Sequence, residues 1–326
     1  MKRRSTILIC ALSASVMSTT ALPAAAQAYP AKPVHVIFPY PPGSPIDAVG
    51  RLISERAGQI LGQPLVFENR PGANGIVGTG AAARSAPDGY TIHLTTTSAF
   101  LLNSFLRKDL TYDPLKSFAP ITAVADIPVA LMVSSSLPVT NTREFVQYLK
   151  RNPGKVSYAS VGNGSFNHLL AEQFKVAAGV DMLHVPYQGA GAIANELVAG
   201  RIDATVLGIG SVMGQWKAGQ VRVLSFLSAR RSPAQPDVPA ISEDFPGFRP
   251  FGNWMGFLAP ANTPEPIVSK LSAALNAVLN QPDVRQKIAA QQWSVIGSTP
   301  SEFRAAIRAD LPVIEAAFKV AGVKPE

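Results

Sequence analysis

Pro33-Val34-His35-Val36-Ile37-Phe38-Pro39, continued by Tyr40-Pro41-Pro42-Gly43-Ser44-Pro45-Ile46-Asp47, is the stretch that decides the fold. Val34 to Phe38 is a short, mainly apolar run bounded by two prolines, which reads as a buried strand. Gly43 and Ser44 then break the chain, and Pro45 suits the first position of a helix. From there to Leu61, apolar residues recur at Ile46, Val49, Leu52, Ile53, Ala57 and Ile60, the spacing of a one-sided helix. The pattern repeats outward. Leu65-Val66-Phe67 reads as a strand, Gly75 to Ala83 as a helix of small residues, and Ile92-His93-Leu94 as a third strand. A βαβαβ series predicts an α/β fold with a parallel sheet covered by helices.

A second series starts near Val129. Strands are expected at Ala130–Val133, Val156–Tyr158, Leu183–Val185, Ala204–Leu207 and Val221–Phe226, with helices at Thr142–Lys150, Ser165–Ala178, Ala190–Ala199 and Ser211–Lys217. A proline-rich loop runs from Ser232 to Pro250. Then come a strand at Met255–Leu258 and three helices, Glu265–Leu279, Pro282–Gln291 and Pro300–Val320. One strand with terminal helices does not close a core of its own, so this part is expected to pack back on the first lobe. That gives lobe 1 as residues 29–127 and 252–326, lobe 2 as residues 128–251, a two-strand hinge, and a cleft between the lobes.

The first 28 residues are excluded from that count. Lys2, Arg3 and Arg4 precede an apolar run from Ile7 to Met17, and Ala26-Gln27-Ala28 fits a small-x-small cleavage site, which together read as an export signal. The run is too short for a membrane span, which needs about 20 apolar residues. Ile9 before Cys10, early in the segment, argues against lipidation. Cleavage after Ala28 removes the only cysteine and three of the 29 basic residues, leaving 26 against 21 acidic ones, a net charge of +5 instead of +8. The mature chain then has no thiol chemistry. Its basic residues are scattered, which excludes a nucleic-acid footprint. The expected compartment is the periplasm.

Three strand-to-helix turns could hold a ligand. In the first, Ser44 is a good N-cap and Asp47 stands at the third helical position, so capping alone accounts for both; Gly43 would also let backbone N–H groups approach an anion. The second is Gly162-Asn163-Gly164-Ser165, with His168 one turn into the helix as either a ligand group or a buried support. The third is Tyr187-Gln188-Gly189. Gly78-Thr79-Gly80 lies inside a helix and so reads as close packing, not as a dinucleotide turn. The four histidines, His35, His93, His168 and His184, have no metal-ligand spacing. His35 and His93 fall on strands among apolar neighbours and read as structural. No cofactor or metal is expected.

Together these segments resemble the Bug receptors, the substrate-binding proteins of tripartite tricarboxylate transporters. The resemblance rests on Tyr29-Pro30-Ala31-Lys32-Pro33, Phe38 to Gly43, Glu68-Asn69-Arg70-Pro71-Gly72-Ala73, Ala86-Pro87-Asp88-Gly89-Tyr90 and Leu110-Thr111-Tyr112-Asp113-Pro114. It continues through Tyr158-Ala159-Ser160, Gly162 to Ser165, His184-Val185-Pro186-Tyr187, Ser228 to Pro233, Pro236-Asp237-Val238-Pro239 and Leu258-Ala259-Pro260. It implies a type II periplasmic-binding-protein fold whose lobes close on a carboxylate held by loop N–H groups, hydroxyls and water. The positions it points to are Tyr40, Pro41, Gly43, Ser44, Pro45, Ile46 and Asp47; Thr97, Ser98 and Phe100; Ser160, Asn163, Gly164, Ser165, Phe166 and His168; Tyr187, Gln188, Gly189 and Asp203. The implied partners are a large and a small membrane subunit, with the receptor itself monomeric.

The first loop departs from the family's Gly-Gly-Ser/Thr-Thr/Ser-Asp. Pro45 removes an N–H donor and Ile46 replaces a hydroxyl. With Tyr40, Phe100 and Phe166 as pocket aromatics, the expectation is a ligand with more apolar or aromatic surface than aspartate or citrate. A periplasmic sensor fits the same residues. A hydrolase would need a nucleophile with its base, and no Gly-x-Ser-x-Gly elbow is present.

Overall fold

The computed structural model describes residues 29–325. The expected export signal and its cleavage site therefore lie outside the described residues. Two sheets organise the chain. In the first, β1 (Val34–Phe38), β2 (Leu65–Asn69) and β3 (Thr91–Thr96) are parallel, with α1 (Pro45–Leu61) and α2 (Ile76–Ala83) as their crossovers. Val34, Val36, Ile37 and Phe38 are buried, as the continuous apolar run demands. Gly50 lets α1 lie close to this sheet: a Cβ there would stand 2.4 Å from Leu94 Cδ2 and 3.0 Å from the Phe67 ring.

After β3 the chain makes a π-helical turn, Ser98–Leu102, and a short helix α3, Asn103–Leu106. Neither was legible in the sequence. Strand β4 (Phe118–Asp126) then leads out of the first sheet, and two residues later β5 (Val129–Ser134) opens the second. That sheet has the order β7-β6-β8-β5-β9, from β6 (Ser157–Ser160), β7 (Leu183–Pro186), β8 (Ala204–Gly208) and β9 (Val221–Phe226). Its helices are α4 (Thr142–Arg151), α5 (Phe166–Ala178), α6 (Ala190–Val198) and α7 (Met213–Lys217). The chain returns after residue 226 to β10 (Trp254–Pro260), followed by α8 (Glu265–Leu279), α9 (Pro282–Ala290), the two-residue strand β11 (Ser294–Val295) and α10 (Pro300–Ala321). The first sheet is thus β11-β4-β10-β3-β1-β2.

Both sheets are mixed, not purely parallel. β10 runs antiparallel to β3 and β4, and β5 antiparallel to β8 and β9. The chain runs out along β4 and β5 and comes back along their neighbours β9 and β10, so the pairs β4–β10 and β5–β9 are antiparallel. The two crossings are clamped together. Ile127 N–H donates to Asn253 O at 2.8 Å, and the Asn253 amide donates back to Ile127 O at 2.8 Å. Asp310 of α10 accepts from Gly252 N–H at 2.9 Å and from Trp254 Nε1 at 3.0 Å.

Helix α10 touches both lobes. Phe303 meets Trp254 edge-on at 4.7 Å, and the helix packs on β4 and on α5. Pro312 interrupts it and removes one backbone donor, which breaks the regular ladder between its two halves. Among the described residues, no helix is long and apolar enough to cross a membrane.

Candidate ligand-binding cleft

The strand order places the ends of β1 and β3 opposite the end of β6. A cavity of about 630 Å³ lies between them. Tyr40, Ala73, Asn74, Ile76, Ser98, Leu102, Asn103, Leu106 and Arg107 form one wall, and Val161 together with Asn163 to Asn167 forms the other. No Asp or Glu lines it. Its one cation, Arg107, makes a two-pronged contact with Asp109 at 3.0 and 3.1 Å. Ile76, Leu102, Leu106, Val161 and Phe166 give it an apolar belt. At the polar end, Phe166 and Asn167 occupy the first turn of α5, where helical N–H groups have no carbonyl within the helix and the dipole favours an anion.

The loop carrying those donors is supported from behind. Ser165 Oγ accepts from His168 N–H at 3.3 Å and caps α5. Gly164 N–H donates to His168 Nδ1 at 3.1 Å. Ser160 Oγ accepts from Gly162 N–H at 3.1 Å and lies 2.7 Å from His184 Nε2. The rings of His168 and His184 stack at 4.1 Å, with Tyr158 against His184 at 4.9 Å. Burial holds both imidazoles neutral. It lowers the pKa of His168, and together with the repulsion that a protonated His168 would exert it lowers that of His184 to about 4. The Ser160–His184 contact has the distance of a nucleophile–base pair, yet Ser160 is fully buried and no carboxylate hydrogen-bonds His184. It lacks the access and the orienting acid that acyl transfer requires.

The structure divides the sequence-derived positions. Tyr40, Ser98, Asn163, Gly164, Ser165 and Phe166 line the cavity. Tyr40 is fixed there by its hydroxyl, 2.7 Å from Thr96 Oγ1. Ser160 and His168 are buried behind the wall. Pro41, Gly43 and Pro45 are exposed beside the cavity but are not in its lining, and Ile46 packs on the first sheet's core. Tyr187, Gln188 and Gly189 form the neighbouring turn, also outside the lining; Tyr187 N–H donates to Ser160 O at 2.9 Å.

Four positions need correction. Asp47 turns inward: its carboxylate accepts from Gly43 N–H at 3.1 Å, Arg51 Nε at 3.1 Å and Asn69 Nδ2 at 2.9 Å, so its charge is committed to its own loop. Thr97 braces the crossing, donating to Gly252 O at 2.8 Å and accepting from Trp254 N–H at 3.0 Å. Phe100 is fully buried, edge-on to Phe118 at 5.2 Å, because the π-helical turn points it into the core. Asp203 binds Ser157 N–H and Oγ at 2.8 and 2.9 Å, at the far end of β6 from the cleft. Of the strand histidines, His93 is buried between Ile37 O and Thr79, whereas His35 is exposed.

The reading of the sequence missed Ala73, Asn74, Ile76, Leu102, Asn103, Leu106, Arg107, Val161 and Asn167. The turn at Asn74 had a usable signal, since it follows a strand that must lie beside β1. Leu102 to Arg107 had none, because an irregular turn carries no periodicity. Among the described residues, no group of three His, Cys, Asp or Glu is placed to hold a metal.

Two sheet-centred lobes, two clamped crossings and a cavity between opposed strand ends define a two-lobed solute-binding protein. The model of the tripartite tricarboxylate transporter family receptor matches residues 49–308, and the chain belongs to that family. The periplasmic binding protein BugD is 33% identical, with a TM-score of 0.73 over 91% of this chain and 100% of its own. An R. palustris protein solved with adipate is 29% identical, with a TM-score of 0.77 over 91% and 100%. MatC from Rhodopseudomonas palustris, solved with bound malate, is 31% identical, with a TM-score of 0.72 over 89% and 99%.

Proposed function

We propose that this receptor captures a small organic carboxylate with an apolar body in the periplasm and performs no chemistry on it. The carboxylate binds at the first turn of α5, and the body lies along the belt of Ile76, Leu102, Leu106 and Phe166. Closure of the lobes then presents the complex, as a monomer, to the large and small membrane subunits of a tripartite transporter. The observation that carries the reading is the lining itself: a helix N-terminus, an apolar belt and no acidic side chain. The adipate and malate bound by relatives support it. Phe100 lies in the core, so an aromatic body is not favoured over an aliphatic one.

A thermal-unfolding screen of purified protein tests this. A carboxylate at 100 times its Kd should stabilise the fold by about 2.7 kcal/mol. Stabilisation by amines or neutral sugars, with none by any carboxylate, overturns it.

A further inference from the structure

Leu106 lines the cleft from the first lobe and touches the opposite wall. A Cβ on Gly164 would stand 2.5 Å from Leu106 Cδ2 and 3.4 Å from Phe318 Cε1, so Leu106 packs directly against the Gly164 backbone. Gly164 also has φ +68, a left-handed value that glycine adopts without strain. This contact is immediately before Ser165 and the first turn of α5. A ligand carboxylate held by that turn therefore starts beside Leu106, and its carbon body must pass it.

Leu106 is mounted rigidly. The Asn103 amide donates to Ala99 O at 2.9 Å and to Asn74 O at 3.0 Å, while the Asn74 amide donates to Asn103 Oδ1 at 3.0 Å. Tyr112 OH holds Ala99 O from the other side at 2.7 Å. The ring of Phe105 stacks on Phe318 of α10 at 5.5 Å. These contacts fix the backbone that carries Leu106, so the side chain projects from a set position into the path of a longer ligand.

We infer that Leu106, closing on Gly164, sets the length of the ligand body that the cleft accepts. This rests on the carboxylate reading above. Leu106→Ala removes three carbon atoms from the wall, and Leu106→Phe adds bulk.

The test is calorimetric titration with two graded series, the aliphatic diacids from succinate to suberate and the phenyl acids from benzoate to phenylbutyrate. In L106A the best-bound member moves to a longer acid, and its Kd relative to the wild-type optimum improves by about tenfold or more, the discrimination one methylene commands in an apolar pocket. In L106F it moves to a shorter acid. L106M, nearly equal in volume, keeps the wild-type order. Should L106A not fold, the L106F shift alone decides. An unchanged optimum and unchanged ratios in the folded variants overturn this inference and leave the carboxylate reading intact. No binding of either series by the wild-type protein overturns the carboxylate reading, and this inference with it.

Discussion

The first turns of α1 and α5 are built to one plan and end in different roles. In each, a serine caps the helix by accepting from the N–H three residues on: Asp47 N–H to Ser44 Oγ at 3.2 Å, and His168 N–H to Ser165 Oγ at 3.3 Å. In each, the side chain at that third position reaches back to the N–H of the glycine before the cap: Gly43 to Asp47 at 3.1 Å, and Gly164 to His168 at 3.1 Å. The difference is charge. Asp47 places a carboxylate at the positive end of α1, and Pro45 removes a donor there. His168 is neutral, so α5 keeps its dipole and its first-turn donors uncommitted. The same scaffold is sealed in one lobe and open in the other.

Asp47→Ala should have the largest effect on stability. It strips Gly43 N–H, Asn69 and Arg51 of one shared acceptor. The Arg51 side chain is 45% exposed, so the ion pair itself contributes little. The lost hydrogen bonds from Gly43 N–H and the Asn69 amide, each worth about 1 kcal/mol net, account for most of an expected loss of about 2–3 kcal/mol, read from denaturant unfolding. The order of preference among ligands should be unchanged. If D47A instead reorders the ligands, α1 is not sealed and the contrast fails.

His168→Leu should cost less, about 1–2 kcal/mol, by leaving Gly164 N–H without its acceptor. It should also weaken ligand binding, which D47A does not. His168→Asn, whose amide oxygen can take the place of Nδ1, should restore both. A leucine variant with wild-type affinity would show that the loop needs no support from His168.

Acid should separate the two turns further. Burial raises the Asp47 pKa, but the hydrogen bonds from Asn69, Arg51 and Gly43 outweigh it and hold it below 3.8. Its contribution is complete above that pH and is lost only as pH falls through the lower folded value. Burial puts the folded pKa of His168 below 6.5, so its contribution is complete above pH 6.5 and declines as pH falls towards the folded value. Glu172 opposes that shift and Lys175 adds to it. As pH falls below 6.5 towards the folded value of His168, the Gly164 amide should lose exchange protection, after correction for intrinsic rates, while Gly43 keeps its own. Equal loss at both amides refutes the distinction.

The parallel was half legible in the sequence. Strand, glycine, serine and helix can be read at both turns, because capping is local chemistry. The direction in which Asp47 turns was not legible. It depends on Asn69, 22 residues away and brought close only by the pairing of β1 with β2. Phe100 was misplaced for a related reason: a π-helical turn shifts which residues face inward, and the sequence carries no mark of it. The strand β4 was also missed, because its apolar residues run into the crossing without a turn to bound them. What could be read was periodic or local. What could not was set by contacts between distant segments.

The smallest predicted effect is the most direct test of the shared plan. Ser44→Ala and Ser165→Ala each remove one N-cap and should each cost about 1 kcal/mol. Stability alone cannot tell the two turns apart. Calorimetric affinity can, since S165A lets the first turn of α5 fray at the cavity wall and S44A acts outside the cavity lining. The expected result is weaker binding in S165A, by about twofold to fivefold if half or more of the cap energy is felt by the ligand, and unchanged binding in S44A. Equal weakening in both would mean that the ligand reaches α1 as well. The carboxylate would then be shared between two helix ends despite the charge of Asp47.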